Sequence, residues 1–403
     1  MAAAGVEGTA GVRGNRSFDH DLLDDAPALA ARDPGGMLRA IASAGAQVRE
    51  AATLTGETDL SGLADEGRPR AVIVAGAGTA ARTGDILATI AGPRCLVPVL
   101  PHRSVEVPGW IGAADVVIAV SASGRSPEAL AIAEAAGRRG ARLVAIGAPD
   151  SPLHATAERN RAPFVPIPRR GPARANLWGL TVPVLLAART LGLVKVNEAD
   201  LAETASRLDL EADRCRPTAE SFVNRAKTLA LNLAGSIPII WGDSPLSHVA
   251  ALRYGDMLSA NARYPVVTDA LGEAGRGRVG LLDGVFGALA EAERDIFADP
   301  DDEGGSFVPP RLKVVLLCDG GLADEETGAA RVSDRRAQVV QEIAERRGVE
   351  VQVLTAEGGS ALERLASLVA VLDFASVYLG LGHGLDPMAV PAVTELKEKL
   401  RKP

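Results

Sequence analysis

Ala114-Asp-Val-Val-Ile-Ala-Val-Ser-Ala-Ser-Gly-Arg-Ser-Pro-Glu128 is the stretch on which the fold turns. Its first seven residues form an almost unbroken apolar run, the pattern of a strand buried on both faces of a parallel sheet. Three serines and a glycine follow, and Pro127 and Glu128 suit the first turn of a helix. A strand that runs through hydroxyls into a helix can hold a phosphate: unpaired backbone N–H groups point at the anion, the helix dipole favours negative charge, and hydroxyls complete the shell. An ordinary helix cap needs only Ser126. Ser121 and Ser123 are the surplus that points to a ligand, and sugar phosphates are the leading class.

Outward from that stretch, short apolar runs alternate with amphipathic segments, which predicts an α/β fold with parallel strands and helices on both faces. Candidate strands in the first half are residues 71–75, 95–100, 114–120, 142–146 and 164–167. A mainly helical passage spans 177–193 and 201–233, after which alternation restarts with candidate strands at 237–241, 265–268, 312–318 and 349–354. An apolar helix near 362–379, a break at 384–387 and a charged helix through Leu400 close the chain. The expected organisation is a mobile segment 1–16, a first α/β domain with N-terminal helices over 17–200, a helical connection over 201–235, and a second α/β domain with a C-terminal helix over 236–403. The acidic, glycine-rich segment 298–306 reads as a surface loop.

At 403 residues the chain has room for two full cores. Aromatics are only 3% against 47% apolar residues overall, so Ala, Val, Leu and Ile must build the interior. The net charge of −8 and the lack of a long basic run argue against nucleic acid and anionic membranes as partners. Cys95, Cys215 and Cys318 stand far apart, and the five histidines have no metal-ligand spacing, so neither a disulfide framework nor a metal site is expected. No signal-peptide core and no run near the roughly 18 apolar residues of a membrane span is read, which implies a cytoplasmic protein.

Gly76-Ala-Gly-Thr-Ala-Ala81 follows the first strand and matches the loose dinucleotide fingerprint. The next strand runs into Pro101-His-Arg103 where that fingerprint wants an acid for the ribose, so only a 2′-phosphate on Arg103 would rescue a nicotinamide cofactor. A monophosphate shared by Gly78, Thr79 and the serine loop, including Gly124, is the second reading, and glycines that merely allow close strand–helix packing are the third.

These loops, in this order, resemble the SIS (sugar isomerase) domain, and the chain from about residue 17 to 402 resembles the bifunctional phosphoglucose/phosphomannose isomerase family. Gly76-Ala-Gly-Thr79, Ser121–Glu128, Pro172-Ala-Arg-Ala175, and Asn261-Ala-Arg-Tyr-Pro265 with Asp386-Pro387 ahead of Glu395-Leu-Lys397 carry the likeness. The resemblance implies two three-layer αβα domains with parallel five-stranded sheets and no cofactor. It implies substrate-phosphate binding by Gly78, Thr79, Ser121, Ser123, Gly124 and Ser126, with Arg174 facing the sugar and Lys397 at the family's C-terminal lysine. A hexose 6-phosphate partner, aldose–ketose isomerisation to fructose 6-phosphate and a homodimer follow from the same likeness.

The chain departs from the family where protons are moved. The family's catalytic glutamate precedes the Asn-Ala motif, and here that residue is Ala260, whose methyl accepts no proton. Arg276 stands where the ring-opening histidine falls, and an arginine stays protonated at neutral pH. Asp256, one helical turn before Ala260, and Glu273, three residues before Arg276, are the candidate substitute bases, and His383 is the candidate substitute acid. A non-catalytic sugar-phosphate sensor or partner protein is the alternative.

Overall fold

The computed structural model describes residues 18–290, 310–320 and 329–401. The expected mobile segment 1–16 and the acidic loop 298–306 lie outside the described residues. Strands β1 (Val72–Ala75), β2 (Val99–His102), β3 (Val116–Ser121), β4 (Arg142–Gly147) and β5 (Phe164–Pro166) form one all-parallel sheet in the order β2-β1-β3-β4-β5. Strands β6 (Ile237–Gly242), β7 (Val267–Ala270), β8 (Leu312–Cys318) and β9 (Glu350–Thr355) form a second, also parallel, in the order β7-β6-β8-β9. The architecture is α/β as expected, but the second sheet has four strands among the described residues instead of five. After β9 the chain enters a long helix and contributes no further described strand.

The helices are α1 (Ala26–Arg32), α2 (Met37–Ala42), α3 (Ala44–Gly56), α4 (Thr79–Ala91), α5 (Pro127–Arg139), α6 (Pro152–Arg159), α7 (Leu177–Thr190), α8 (Glu198–Arg214), α9 (Arg225–Leu233), α10 (Pro245–Met257), α11 (Leu271–Ala274), α12 (Ala329–Glu345), α13 (Ala361–Gly382) and α14 (Pro391–Arg401). Every residue of β1 and β3 is buried, which is why those strands read as unbroken apolar runs. The apolar run at 95–100 misplaces β2: pairing with β1 starts at Val99, after Pro98, and continues through His102.

Each sheet has its own outer cluster, around Ile73, Val117 and Leu143 in the first and Ile239, Trp241 and Leu316 in the second. The inner faces share a third, larger cluster that runs through Val74, Ile118 and Leu185 to Ile240, Tyr254 and Phe374. Helix α13 sits at its centre, packed on α8, α9 and α10. Against the expectation from sequence, α13 is long and apolar enough to cross a membrane; it is enclosed by protein along its full hydrophobic length. A helix that is apolar all round needs burial on every side, and the shared core supplies it.

Candidate functional site

In each sheet the strand order reverses beside its first strand, and ligands of open α/β sheets bind at such a point, outside the carboxyl ends of the strands. In the first sheet the flanking loops are Gly76–Thr79 after β1 and Ser121–Ser126 after β3. The first loop lies against the end of β3, from which the second departs: a Cβ on Gly76 would lie 2.9 Å from the Val120 carbonyl oxygen. The serine loop turns sharply because the Gly124 N–H donates to the Ser121 carbonyl at 2.9 Å and Gly124 takes φ +65°. Any side chain there would strike Ser151 Oγ, 2.0 Å from the Cβ position, so glycine is required on both counts.

The hydroxyls are arranged unequally. Ser121 Oγ accepts from the Ser126 N–H at 3.3 Å, and Ser123 Oγ accepts from the Arg125 N–H at 3.2 Å. Ser126 is the N-cap of α5 in extended conformation, yet its side chain makes no capping bond. Its Oγ is buried and has no hydrogen-bond partner among the described residues. A buried hydroxyl without a partner costs roughly 1–3 kcal/mol, a cost that an anionic oxygen would remove. Thr79 opens α4 half-buried, and its Oγ1 lies 3.4 Å from Arg253 Nη1.

Arg253 carries no signal in the sequence that marks it. It projects from α10, is 1% exposed, and is held in a fork by Asp373 of α13, Nε to Oδ1 at 3.0 Å and Nη2 to Oδ2 at 2.8 Å. Nη2 also donates to the Arg174 carbonyl at 2.5 Å. Finding it would have required knowing that residues 120 positions apart meet. Burial pushes the Asp373 carboxyl above its ordinary value even against the neighbouring guanidinium.

Arg174 lies in the short turn Ala173–Ala175, half-buried. Its Nε donates to Asn261 Oδ1 at 2.9 Å, and its Nη2 donates to the carbonyl of Pro387. Burial, Arg263 and Arg253 together pull Arg174 below its ordinary value, a sign that cations crowd this corner. Asn261 sits where α10 widens into a π turn over Leu258–Ala262, and its Nδ2 donates to Ser376 Oγ at 2.9 Å. The turn ends at Arg263 with φ +55°, an uncommon conformation for a residue with a side chain. Such turns concentrate at functional sites. Half-buried Ala260 falls inside it, at the position of the missing carboxylate.

The remaining candidates are scattered. Both oxygens of Asp256 are taken by Arg82 of α4, at 2.6 Å from Nε and 3.0 Å from Nη2. Burial works against the Arg82 charge, but Asp256 and Asp85 hold it above its ordinary value. Glu273 and Arg276 are exposed, at and just after α11. His383 caps the end of α13, with Nε2 3.1 Å from the Tyr264 hydroxyl and its ring edge-on to Phe18. Lys397 is on α14, where every residue from Pro391 to Leu400 is exposed, so this chain's own fold does not bury it beside the glycine loops. Arg103, on which the nicotinamide reading rests, is paired with Asp85 at 2.5 Å. A cavity of about 920 Å³ lined by Leu96, Lys195 and Leu362 opens below the amino ends of the first sheet's strands, at the opposite end from the loops.

Residues 222–400 match the bacterial phospho-glucose isomerase C-terminal SIS domain. The chain is 27% identical over 329 residues to a bifunctional phosphoglucose/phosphomannose isomerase of Caldicellulosiruptor bescii, covering 82% of this chain and 89% of that protein. It is 24% identical over 305 residues to the protein of the same name from Aquifex aeolicus, covering 76% and 82%. Among solved structures, a hypothetical protein of Thermus thermophilus superposes with a TM-score of 0.66 at 17% identity, over 95% of this chain and 94% of that one.

Proposed function

The chain belongs to the SIS-domain family of bifunctional phosphoglucose/phosphomannose isomerases, and from that premise we propose that it binds a hexose 6-phosphate. The phosphoryl group sits against Thr79, Ser121, Ser123 and Ser126 with the backbone of Gly78 and Gly124, and the sugar extends toward Arg174. The observation that carries this reading is the Ser126 hydroxyl, buried without a partner at the start of a helix whose loop is already lined with serines.

The chemistry proposed is isomerisation of glucose 6-phosphate or mannose 6-phosphate to fructose 6-phosphate. That reaction moves a proton between C1 and C2 and builds negative charge on a sugar oxygen, which a fixed guanidinium at Arg174 stabilises. The base must be a carboxylate other than residue 260. Asp256 must first leave Arg82, and Glu273 must swing in from the surface. His383 serves as the acid, and Lys397 joins the site only if α14 repositions or a second copy presents it in the homodimer that the family relationship suggests.

Those requirements favour a second reading for a specific reason: the one half-buried position beside Asn261 where a base belongs holds a methyl group. In that reading the protein keeps the phosphate loops and acts as a sugar-phosphate sensor or partner. NMR of the purified protein with each hexose 6-phosphate separates the two. Appearance of fructose 6-phosphate establishes the isomerase; a thermal shift without turnover establishes the sensor. No shift with any phosphorylated hexose overturns both.

A further inference from the structure

We infer that Arg253 is the fixed cation of the phosphate cradle, a binding residue that the second half of the chain lends to a loop of the first. This inference rests on the phosphosugar reading above. The side chains of Thr79, Ser121, Ser123 and Ser126 are neutral, whereas a phosphomonoester carries about −1.5 to −2 charges at neutral pH. A guanidinium that is 1% exposed cannot serve as a solvated surface charge. Asp373 occupies its Nε and one Nη2 proton, the Arg174 carbonyl takes the other, and Nη1 is left directed at Thr79 Oγ1. At 3.4 Å that last contact is long for a hydrogen bond, so an anionic oxygen entering the loop displaces it at little cost. Because the fork is locked before the ligand arrives, little side-chain entropy is lost on binding.

The same guanidinium fixes the turn that carries Arg174. The phosphate end and the sugar end of the ligand are therefore referenced to one group, and the distance between them is set by Arg253 as much as by either loop. Asp373, which touches no ligand in this arrangement, is the residue that positions it.

A buried ion pair that only staples the two halves together would show the same contacts, so the test must read binding. Arg253→Gln alone would strand a buried carboxylate and endanger the fold, whereas the Arg253→Gln/Asp373→Asn pair removes both charges together. Calorimetric titration with fructose 6-phosphate and with inorganic phosphate, at 20 and 200 mM NaCl, is compared with wild type, and circular dichroism without ligand checks the fold. The expected result is a loss of about thirtyfold in affinity for both probes, the worth of one charge-assisted hydrogen bond, with a shallower salt dependence. Arg253→Lys keeps a charge and nearly the same volume but lacks the second arm of the fork; about a tenfold loss is expected, and it is read on its own if the double variant does not fold. Affinities within threefold of wild type in either folded variant, with unchanged salt dependence, overturn the role of Arg253 and leave the phosphosugar reading standing. Wild-type protein that binds neither probe overturns both.

Discussion

Three helices of this molecule start with Ser-Pro after a strand, and Ser126 of α5 is used differently from Ser151 of α6, which caps its helix by accepting from the His154 N–H at 3.3 Å, and from Ser244 of α10. Ser244, after β6, accepts from the Ser247 N–H and completes a capping box, so its hydroxyl is fully used within the protein. Ser126, after β3, makes no capping bond, and its hydroxyl is left over. The surroundings diverge in the same direction. The switch point of the first sheet is edged by glycines and hydroxyls, whereas that of the second is edged by Asp243 and Asp319. Asp243 Oδ1 accepts from the Asp319 N–H at 3.0 Å, Ser244 Oγ donates to Asp319 at 3.1 Å, and Arg364 pairs with Asp319 at 2.7 Å. Burial, with the charge of Asp319 adding to it, pushes the Asp243 carboxyl up. Two sheets with the same strand order thus end in crevices of different chemistry, one edged by glycines and hydroxyls and one by carboxylates, and the difference lies in a handful of loop side chains.

The harshest way to break this contrast is to give the first crevice the chemistry of the second. Ser123→Glu is expected to abolish the thermal shift produced by fructose 6-phosphate, a stabilisation of about 2.7 kcal/mol when ligand is at a hundred times its Kd. A retained shift would place the phosphate elsewhere. Restoring the missing base is the next largest change. Ala260→Glu is expected to raise the hexose phosphate isomerisation rate, measured by NMR, by at least tenfold, since a positioned general base is worth about 10²–10⁴. An unaltered rate would mean that the π turn no longer aims residue 260 at C1 and C2.

A smaller effect is expected at the ion pair that joins α4 to α10. Asp256→Ala leaves Arg82 with Asp85 alone, and because the Asp256 side chain is 41% exposed, solvent screening limits the loss of stability to about 1 kcal/mol in denaturant titration. If any isomerase rate disappears with it, Asp256 is also the substitute base. The smallest effect sharpens the comparison from the acidic side. A carboxyl whose folded pKa lies above its unfolded value costs stability once pH has risen past both, and costs nothing well below them. Asp243→Asn keeps the oxygen that accepts from Ser247 and Asp319, so it should raise Tm by about 2 °C at pH 7, with the gain fading as pH falls toward 4.

What sequence reveals here follows the range of the interactions involved. β1 and β3 were legible because burial on both faces leaves a local, continuous apolar signature, and the serine loop because its hydroxyls are contiguous. The apolar Pro265 and Val266 set the expected start of β7 two residues early, while pairing with β6 runs from Val267 to Ala270. The serine loop closes on itself through Ser121 and Ser126, and the glycine loop lies against the end of β3, but the partners around them carry no local signal. Arg253 meets Asp373 across 120 positions and Arg82 meets Asp256 across 174, and no periodicity encodes either contact. The acidity of the second crevice was equally hidden, because Asp243 and Asp319 look like ordinary loop carboxylates until β6 and β8 lie side by side.

The position of α13 bears on how this protein is made. The helix that α8, α9 and α10 pack against begins at Ala361, so a ribosome must translate past that residue before the common interior can close. Until then the nascent chain carries uncovered aliphatic surface on both halves. Premature termination before that helix should yield an insoluble, chaperone-bound fragment instead of a working first half, and splitting the gene at the midpoint should fail for the same reason.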